Sequence, residues 1–243
     1  MRLSFGPGLW TLVCALTLSW GVPGWTMSSD EVLDKLERAQ SLVKSLSAQL
    51  EETIVMKGSL QGQAMTGRLI WSQPNNIHLQ FEKPTAQTIV CDGKLLWVYT
   101  PALNQVLRQD MQSSDLLKQF QFQLGQEVKQ MRERFTVTLQ GQERLEGAVC
   151  HILKMVPKQK KGFSRKGYYE VKLWVSEASW IPVKSMATMG VGSQLVLRLK
   201  GLKVNPAVAP GLFNFKPPSW TEVMDGMMLL APGSMDGGKP VKP

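Results

Sequence analysis

Two histidines, His78 and His151, and three cysteines, Cys14, Cys91 and Cys150, are the side chains in these 243 residues best suited to metal ligation, nucleophilic attack or proton transfer at neutral pH. Their arrangement supports none of these. Each histidine stands alone in a strand-like run, and no group of cysteines and histidines has the spacing that builds a zinc site. No glycine-rich phosphate loop precedes a helix, and no serine sits in a nucleophile elbow. Asp92-Gly93 lies between two apolar runs, which is the setting of a tight hairpin with both central residues at positive φ rather than of a catalytic aspartate. The acidic residues are scattered over helices and turns. No metal and no cofactor is expected. An exported hydrolase would need a site that the residue pattern does not display.

The elements that would position a site are strands. In residues 67–108, Ile77, Leu79 and Phe81 alternate with His78, Gln80 and Glu82, the period-two pattern of a sheet with one apolar face. Leu69 and Trp71 begin the strand before it, and Gln73-Pro74-Asn75-Asn76 breaks that strand. Lys83-Pro84 ends the next. Thr88-Ile89-Val90 and Leu95 to Tyr99 flank Asp92-Gly93. Leu69, Trp71, Ile77, Leu79, Phe81 and Ile89 therefore form a candidate apolar face. Trp97 has two readings: packing of its hairpin together with Tyr99, or direct contact with whatever that face binds. Strands resume at 135–139, 148–156, 168–175, 182–188 and 193–202.

Two helical stretches interrupt this pattern. Ser28 and Glu31 form a capping box, and Val32, Leu33, Leu36, Ala39, Val43, Leu46 and Leu50 recur at helical spacing. A first hairpin is then expected over 53–58 and 63–71. The second stretch follows Ser113 or Ser114, with Leu116, Leu117, Phe120, Leu124, Val128 and Met131 on one face and Gly125 dividing it. It is either a crossover packed on the core or a movable lid over an apolar cavity.

Arg2 followed by the apolar run from Leu9 to Trp20 and then by Gly21, Pro23 and Gly24 reads as a secretory signal over residues 1–25, with a retained anchor as the alternative. Residues 26–225 are long enough for one large β domain, and 226–243, rich in Gly, Pro and Met, read as a disordered tail. An exported chain meets oxidising conditions, so Cys91 and Cys150 are either a disulfide or two buried thiols. The formal charge is +9. Its densest cluster (Lys158, Lys160, Lys161, Arg165 and Lys166) is either a solvated loop or a docking segment for an anionic leaflet or acidic partner. Nucleic acid is not an expected partner of an exported protein.

Several segments resemble the periplasmic outer-membrane lipoprotein carrier family, LolA. They are Gly67 with Gln73-Pro74-Asn75, then Pro84, "IVCDGKLLWVYTP" from Ile89 to Pro101, Gln105, "LWVSEASWIPVKS" from Leu173 to Ser185, and "LFNFKPPSWTEVMD" from Leu212 to Asp225. The resemblance implies an α+β, mainly antiparallel fold: a half-open (incomplete) β-barrel with helices covering an apolar concave face. It implies a monomeric, non-enzymatic carrier of acylated lipoproteins or other lipid. An inner-membrane lipoprotein-releasing ABC transporter and an outer-membrane acceptor would be its partners. Leu69, Trp71, Ile77, Leu79, Phe81, Ile89 and Trp97 would line the acyl cavity, and Leu116, Leu117 and Phe120 would belong to the lid. Family members carry an arginine before the first strand-breaking proline that ties lid to barrel; here that position is Gln73. The departure leaves room for a relative that binds another lipid or senses lipoproteins in envelope-stress signalling.

Overall fold

The computed structural model describes residues 27–59, 62–110, 124, 128–158, 168–189 and 192–225. Helix α1 (Ser29–Leu42) opens the described chain, and its capping box is formed: the Glu31 N–H donates to Ser28 Oγ at 3.1 Å and the Ser28 N–H donates to Glu31 Oε2 at 2.6 Å. The helix ends earlier than the apolar spacing suggests. Residues from Ser45 onward are already strand β1 (Ser45–Val55). Leu46 and Leu50 are four apart, a separation that satisfies both a helical period and an alternating one. The intervening Ala48, also buried, shows that the alternation wins.

Eleven strands follow in chain order: β2 (Gln63–Ser72), β3 (Asn76–Lys83), β4 (Gln87–Asp92), β5 (Leu95–Thr100), β6 (Gln105–Asp110), β7 (Phe135–Leu145), β8 (Ala148–Pro157), β9 (Tyr168–Ser176), β10 (Pro182–Met189), β11 (Gln194–Val204) and β12 (Glu222–Asp225). A second helix, α2 (Val128–Arg134), precedes β7. The described strands form one sheet in the order β12-β6-β5-β4-β3-β2-β1-β11-β10-β9-β8-β7. Every neighbouring pair is antiparallel except β12 with β6. Strands β12 and β7 end the order and do not pair with each other, so the sheet remains open.

Both cluster sets of buried side chains lie on one face. Over β1–β5 and β11 they include Leu46, Leu50, Leu69, Leu79 and Leu197, and Leu124 packs among them. Over β7–β10 they include Leu153, Met155, Val171 and Leu173, covered by Val32, Leu33 and Leu36 of α1 and by Val128 and Met131 of α2. The two helices are tied together at the surface. Arg132 of α2 donates to Asp30 at 2.6 Å and also to Asp34, both on α1. Lys158 Nζ donates to the Arg132 carbonyl at 2.8 Å, placing a cation at the carboxyl end of α2 where the exposed carbonyls favour it.

The turns differ in one respect from expectation. At the β4–β5 hairpin, Gly93 alone has positive φ, at 88°. Asp92 stays extended and its carboxylate accepts from the Lys94 and Leu95 N–H groups, both at 2.8 Å. The side chain does there what a second left-handed residue would otherwise do. The turn with two left-handed residues is Glu146-Gly147, at φ 49° and 83°, between β7 and β8.

One glycine is required by space. Gly67 on β2 faces Phe81 across a register irregularity between β2 and β3. A Cβ at this position would press on the Gln80 carbonyl and stand 2.9 Å from Phe81 Cα. These are backbone atoms that cannot swing aside. Gly67→Ala is therefore expected to lower stability by about 1–3 kcal/mol, read as a reduced urea midpoint. An unchanged midpoint would show that β2 and β3 are free to separate there.

Candidate functional site

The site is the concave face of β1–β5 with β11. Strand register builds it. Leu46, Ala48, Leu50 and Glu52 of β1 stand opposite Trp71, Leu69, Gly67 and Met65 of β2. Ile77, Leu79 and Phe81 continue the rows on β3, and Cys91 and Ile89 continue two of them on β4. Leu96 and Val98 of β5 close the set. Side chains directly opposite each other in an antiparallel pair share a face, so these residues face one way.

Leu69, Trp71, Ile77, Leu79, Phe81 and Ile89 are thus brought together, each only 1–7% exposed. They do not line an open groove: they pack on one another, on Leu124, and on the partly buried Ala39 of α1. Burying each such side chain contributes about 1.5–3 kcal/mol, so their mutual packing stabilises the fold.

Trp97 is not among them. It sits between Leu96 and Val98 on β5 and points to the opposite face, pairing with Val90 and Arg108. There its ring meets Phe215 at 5.8 Å between centroids, and Tyr99 meets the same ring at 6.1 Å. Arg108 lies over Trp97 and forms a two-pronged ion pair with Asp225 of β12, at 2.6 and 2.8 Å. Of the two readings of Trp97, the structure has the packing one. It fastens the segment after β11 to the convex side, and the cavity assignment is corrected on parity alone.

Gln73 is exposed in the β2–β3 turn, with a cis bond to Pro74. Its N–H donates to the Lys44 carbonyl at 2.9 Å, which places it at the rim beside the α1–β1 link. The candidate lid residues Leu116, Leu117 and Phe120 lie outside the described residues, as do the signal segment, the tail and all of the basic loop after Lys158. Cys91 and Cys150 are both buried free thiols. Strands β3, β2, β1, β11, β10 and β9 lie between theirs in the sheet order, so the disulfide alternative is not the one realised.

Two polar groups on the buried face escaped the sequence reading. The first is Glu52, which continues the inward row Leu46-Ala48-Leu50 and faces Met65 and Leu197. It forms no ion pair among the described residues, whereas Glu51, one residue away on the other face, is paired with Lys200 at 2.8 Å and Arg198 at 3.5 Å. Burial in this apolar setting raises the Glu52 carboxyl from 4.5 to about 7. The second is Trp71, whose indole N–H is buried without a hydrogen-bond partner. A charged residue breaking the alternation at position 52 was the available signal for the first. Nothing in the sequence marks the second.

His151 lies on the same side, under α1. It is 1% exposed and stacks on Trp180 at 5.4 Å, with Lys35 over that indole at 4.3 Å. Its Nδ1 is 3.4 Å from the Gln142 amide nitrogen and its Nε2 has no hydrogen-bond partner. Burial lowers its pKa, opposed by Glu177 and aided by Lys35. His151 is thus a buried ring with one nitrogen within hydrogen-bond distance of Gln142. Among the described residues no group of three His, Cys, Asp or Glu side chains is placed to hold a metal ion.

The chain is thus an open, mainly antiparallel half-barrel with helices packed on one apolar face. The family model of the outer membrane lipoprotein carrier protein LolA matches residues 41–216, and the chain belongs to that family. An outer-membrane lipoprotein carrier protein of Alcanivorax borkumensis is 23% identical over 216 residues, 89% of this chain and 96% of that protein. An uncharacterised protein of Methanocaldococcus jannaschii is 26% identical over 213 residues, 88% of this chain; the chain spans 57% of that longer relative. Among solved structures, an uncharacterised conserved protein of Thermus thermophilus shares the fold. Its TM-score is 0.54 at 15% identity, covering 82% of this chain and 99% of that one.

The raised Glu52 carboxyl makes a prediction with a definite sign. Unfolded, the group titrates near 4.5; folded, near 7. Between these values the folded chain holds a proton that the unfolded chain has lost, so rising pH destabilises the fold across that window and no further above it. Glu52→Gln should be more stable than the parent at pH 8, by on the order of 1–3 kcal/mol, discounted from the full shift because the side chain partly meets solvent. At pH 4 the two should match. Chemical denaturation at both pH values checks this, and a variant that gains nothing at pH 8 would place Glu52 in water.

Proposed function

We propose that this protein is a periplasmic carrier that holds the acyl chains of lipoproteins on the concave face of its half-barrel and gives them up again. The single observation that carries the reading is the apolar row set of β1–β5. It forms one face of an unclosed sheet, and what packs on it among the described residues is not another sheet but Ala39 of α1 and Leu124. Such a cover can be exchanged for a ligand without breaking a strand ladder. A palmitoyl-length chain represents roughly 12 kcal/mol of hydrocarbon to be kept from water. The empty protein recovers much of that apolar contact by closing on itself. Loading and release then differ by little, and direction comes from the affinities of donor and acceptor.

Family membership supports export through the N-terminal apolar segment and passage of cargo from an inner-membrane releasing transporter to an outer-membrane acceptor. It also supports a binding rather than an enzymatic role. A second reading, a relative that takes a different lipid or senses lipoproteins, is favoured by one feature: the rim position that carries a lid-locking arginine in the family is the exposed, uncharged Gln73. Glutamine lacks the planar five-donor fork of arginine. Purification from the periplasm, with lipid and protein cargo identified together by mass spectrometry, separates these readings. Acylated protein supports the first, free lipid the second, and no lipid at all overturns both.

The cover also yields a kinetic prediction. If α1 and α2 part to admit a chain, Arg132 resists the movement through its links to Asp30 and Asp34. Partly exposed pairs of this kind contribute about 0.2–1 kcal/mol. Arg132→Ala should therefore speed uptake of a fluorescent acyl probe by about 2–5-fold in stopped flow, and high salt should narrow the difference. Equal rates at all salt concentrations would mean that the helices do not separate on loading.

A further inference from the structure

The indole of Trp71 presents a problem of hydrogen bonding. The side chain is 5% exposed, and its Nε1 is buried with no acceptor among the described residues. Its cross-strand neighbours are Leu46 and Ile77, neither of which can accept a hydrogen bond from its side chain. An orphaned buried donor is costly, and a Phe at this position would avoid the cost while filling the same face. The donor belongs to the apolar face itself, at one definite end of it. Trp71 is two residues before Gln73, whose turn forms the rim, and Leu46 opposite it leads back to the α1–β1 link. Glu52 marks the other direction, six residues along β1, or about 20 Å at strand spacing.

The rim at the Trp71 end carries exposed apolar side chains, as does the Glu52 end, where Met56 follows β1. Leu42 is 73% exposed and Val204 42% exposed. They are neighbours: Asn205 donates to the Leu42 carbonyl at 3.1 Å, and Val204 pairs with Leu46. Exposed apolar side chains at the edge of a buried apolar face mark where such a face continues toward the surface.

We propose that the Trp71 indole N–H is the specificity contact of this face, donating to the ester or amide carbonyl of a bound acyl chain, whose hydrocarbon runs along the strands toward Glu52 while its head group emerges at the Leu42–Val204–Gln73 rim. The inference rests on the lipid-binding reading and sharpens it: the ligand is an acyl derivative, and pure hydrocarbon is discriminated against. Ligand binding then supplies the acceptor that the empty protein lacks. This explains how the carrier can favour a carbonyl-bearing chain although the face is otherwise apolar up to Glu52 at its far end. The charge of the head group plays no part in this contact. Lys44 and Lys203 at this rim are both exposed.

Two uncharged probes test it: a pyrene-labelled diacylglycerol, which carries ester carbonyls, and a pyrene-labelled alkane of similar length, which carries none. Wild-type protein should prefer the ester, and Trp71→Phe should lose that preference by ~3–10-fold, the range of one net buried hydrogen bond, while keeping its affinity for the alkane. As a readout independent of the variant's folding, the Trp71 indole N–H resonance of the intact protein should move downfield on adding the diacylglycerol and not on adding the alkane. An ester-to-alkane ratio unchanged by Trp71→Phe, or an indole resonance indifferent to the ester, overturns the inference and leaves the carrier reading intact. Failure of both probes to bind wild-type protein overturns the carrier reading, and this inference with it.

Discussion

An open sheet with one continuous apolar face must have that face covered, and everything else in this molecule follows from how the cover is provided. In a closed barrel the far wall would do it, and in a sandwich a second sheet would. Here β12 and β7 do not pair with each other, and among the described residues the task falls to α1, α2 and Leu124. The division is uneven. Over β7–β10 the cover is helix on sheet, with Val32, Leu33 and Leu36 fully seated. Over β1–β5 the described cover is thinner, with Ala39 and Leu124 touching a field of larger side chains.

The convex side answers a different need. Trp97 and Tyr99 project there, and the Phe215 ring lies against both, so the segment after β11 is strapped across β5 before returning as β12. The Arg108–Asp225 pair fixes the end of that strap. In the exposed setting of these two groups, each pulls the other's pKa in the direction that keeps it charged. Contact across the outer side leaves the inner side free of covalent or charged fastenings along β1–β5, with Glu52 the one ionisable exception on β1.

What could be read from the sequence was what depends on local period. Ile77, Leu79 and Phe81 alternate with polar neighbours, and parity put them on the inner face without ambiguity. The capping box at Ser28 and Glu31 involves residues three apart and was equally legible. The errors occurred where two periods coincide or where parity needs an outside reference. Leu46 and Leu50 suit a helix and a strand alike, and this hid Glu52 on the inner face by assigning its strand to a helix. Leu95 to Tyr99 is apolar on both sides, so nothing local says which side faces inward. The register with Ile89 and Cys91 decides it and sends Trp97 outward. The orphaned indole of Trp71 is a statement about what surrounds a nitrogen in space, and no pattern along the chain encodes it.

Leaving a barrel unclosed exposes two strand edges, each a template on which another chain could extend the sheet. Both are blunted. The β12 edge is four residues long and follows Pro217-Pro218, neither of which has an N–H to offer. The longer β7 edge is broken by an irregularity between Leu139 and Gln142, where Gly141 adopts φ 126°. Beyond it stand exposed Glu143 and Arg144, and Glu143 is held across the sheet by the Trp174 indole N–H and by Lys184 at 3.8 Å. A second copy approaching this edge would meet a kinked backbone and a fixed carboxylate instead of a straight ladder. The same openness that gives the apolar face access to a ligand is thereby kept from becoming a route to self-association and fibrous aggregation.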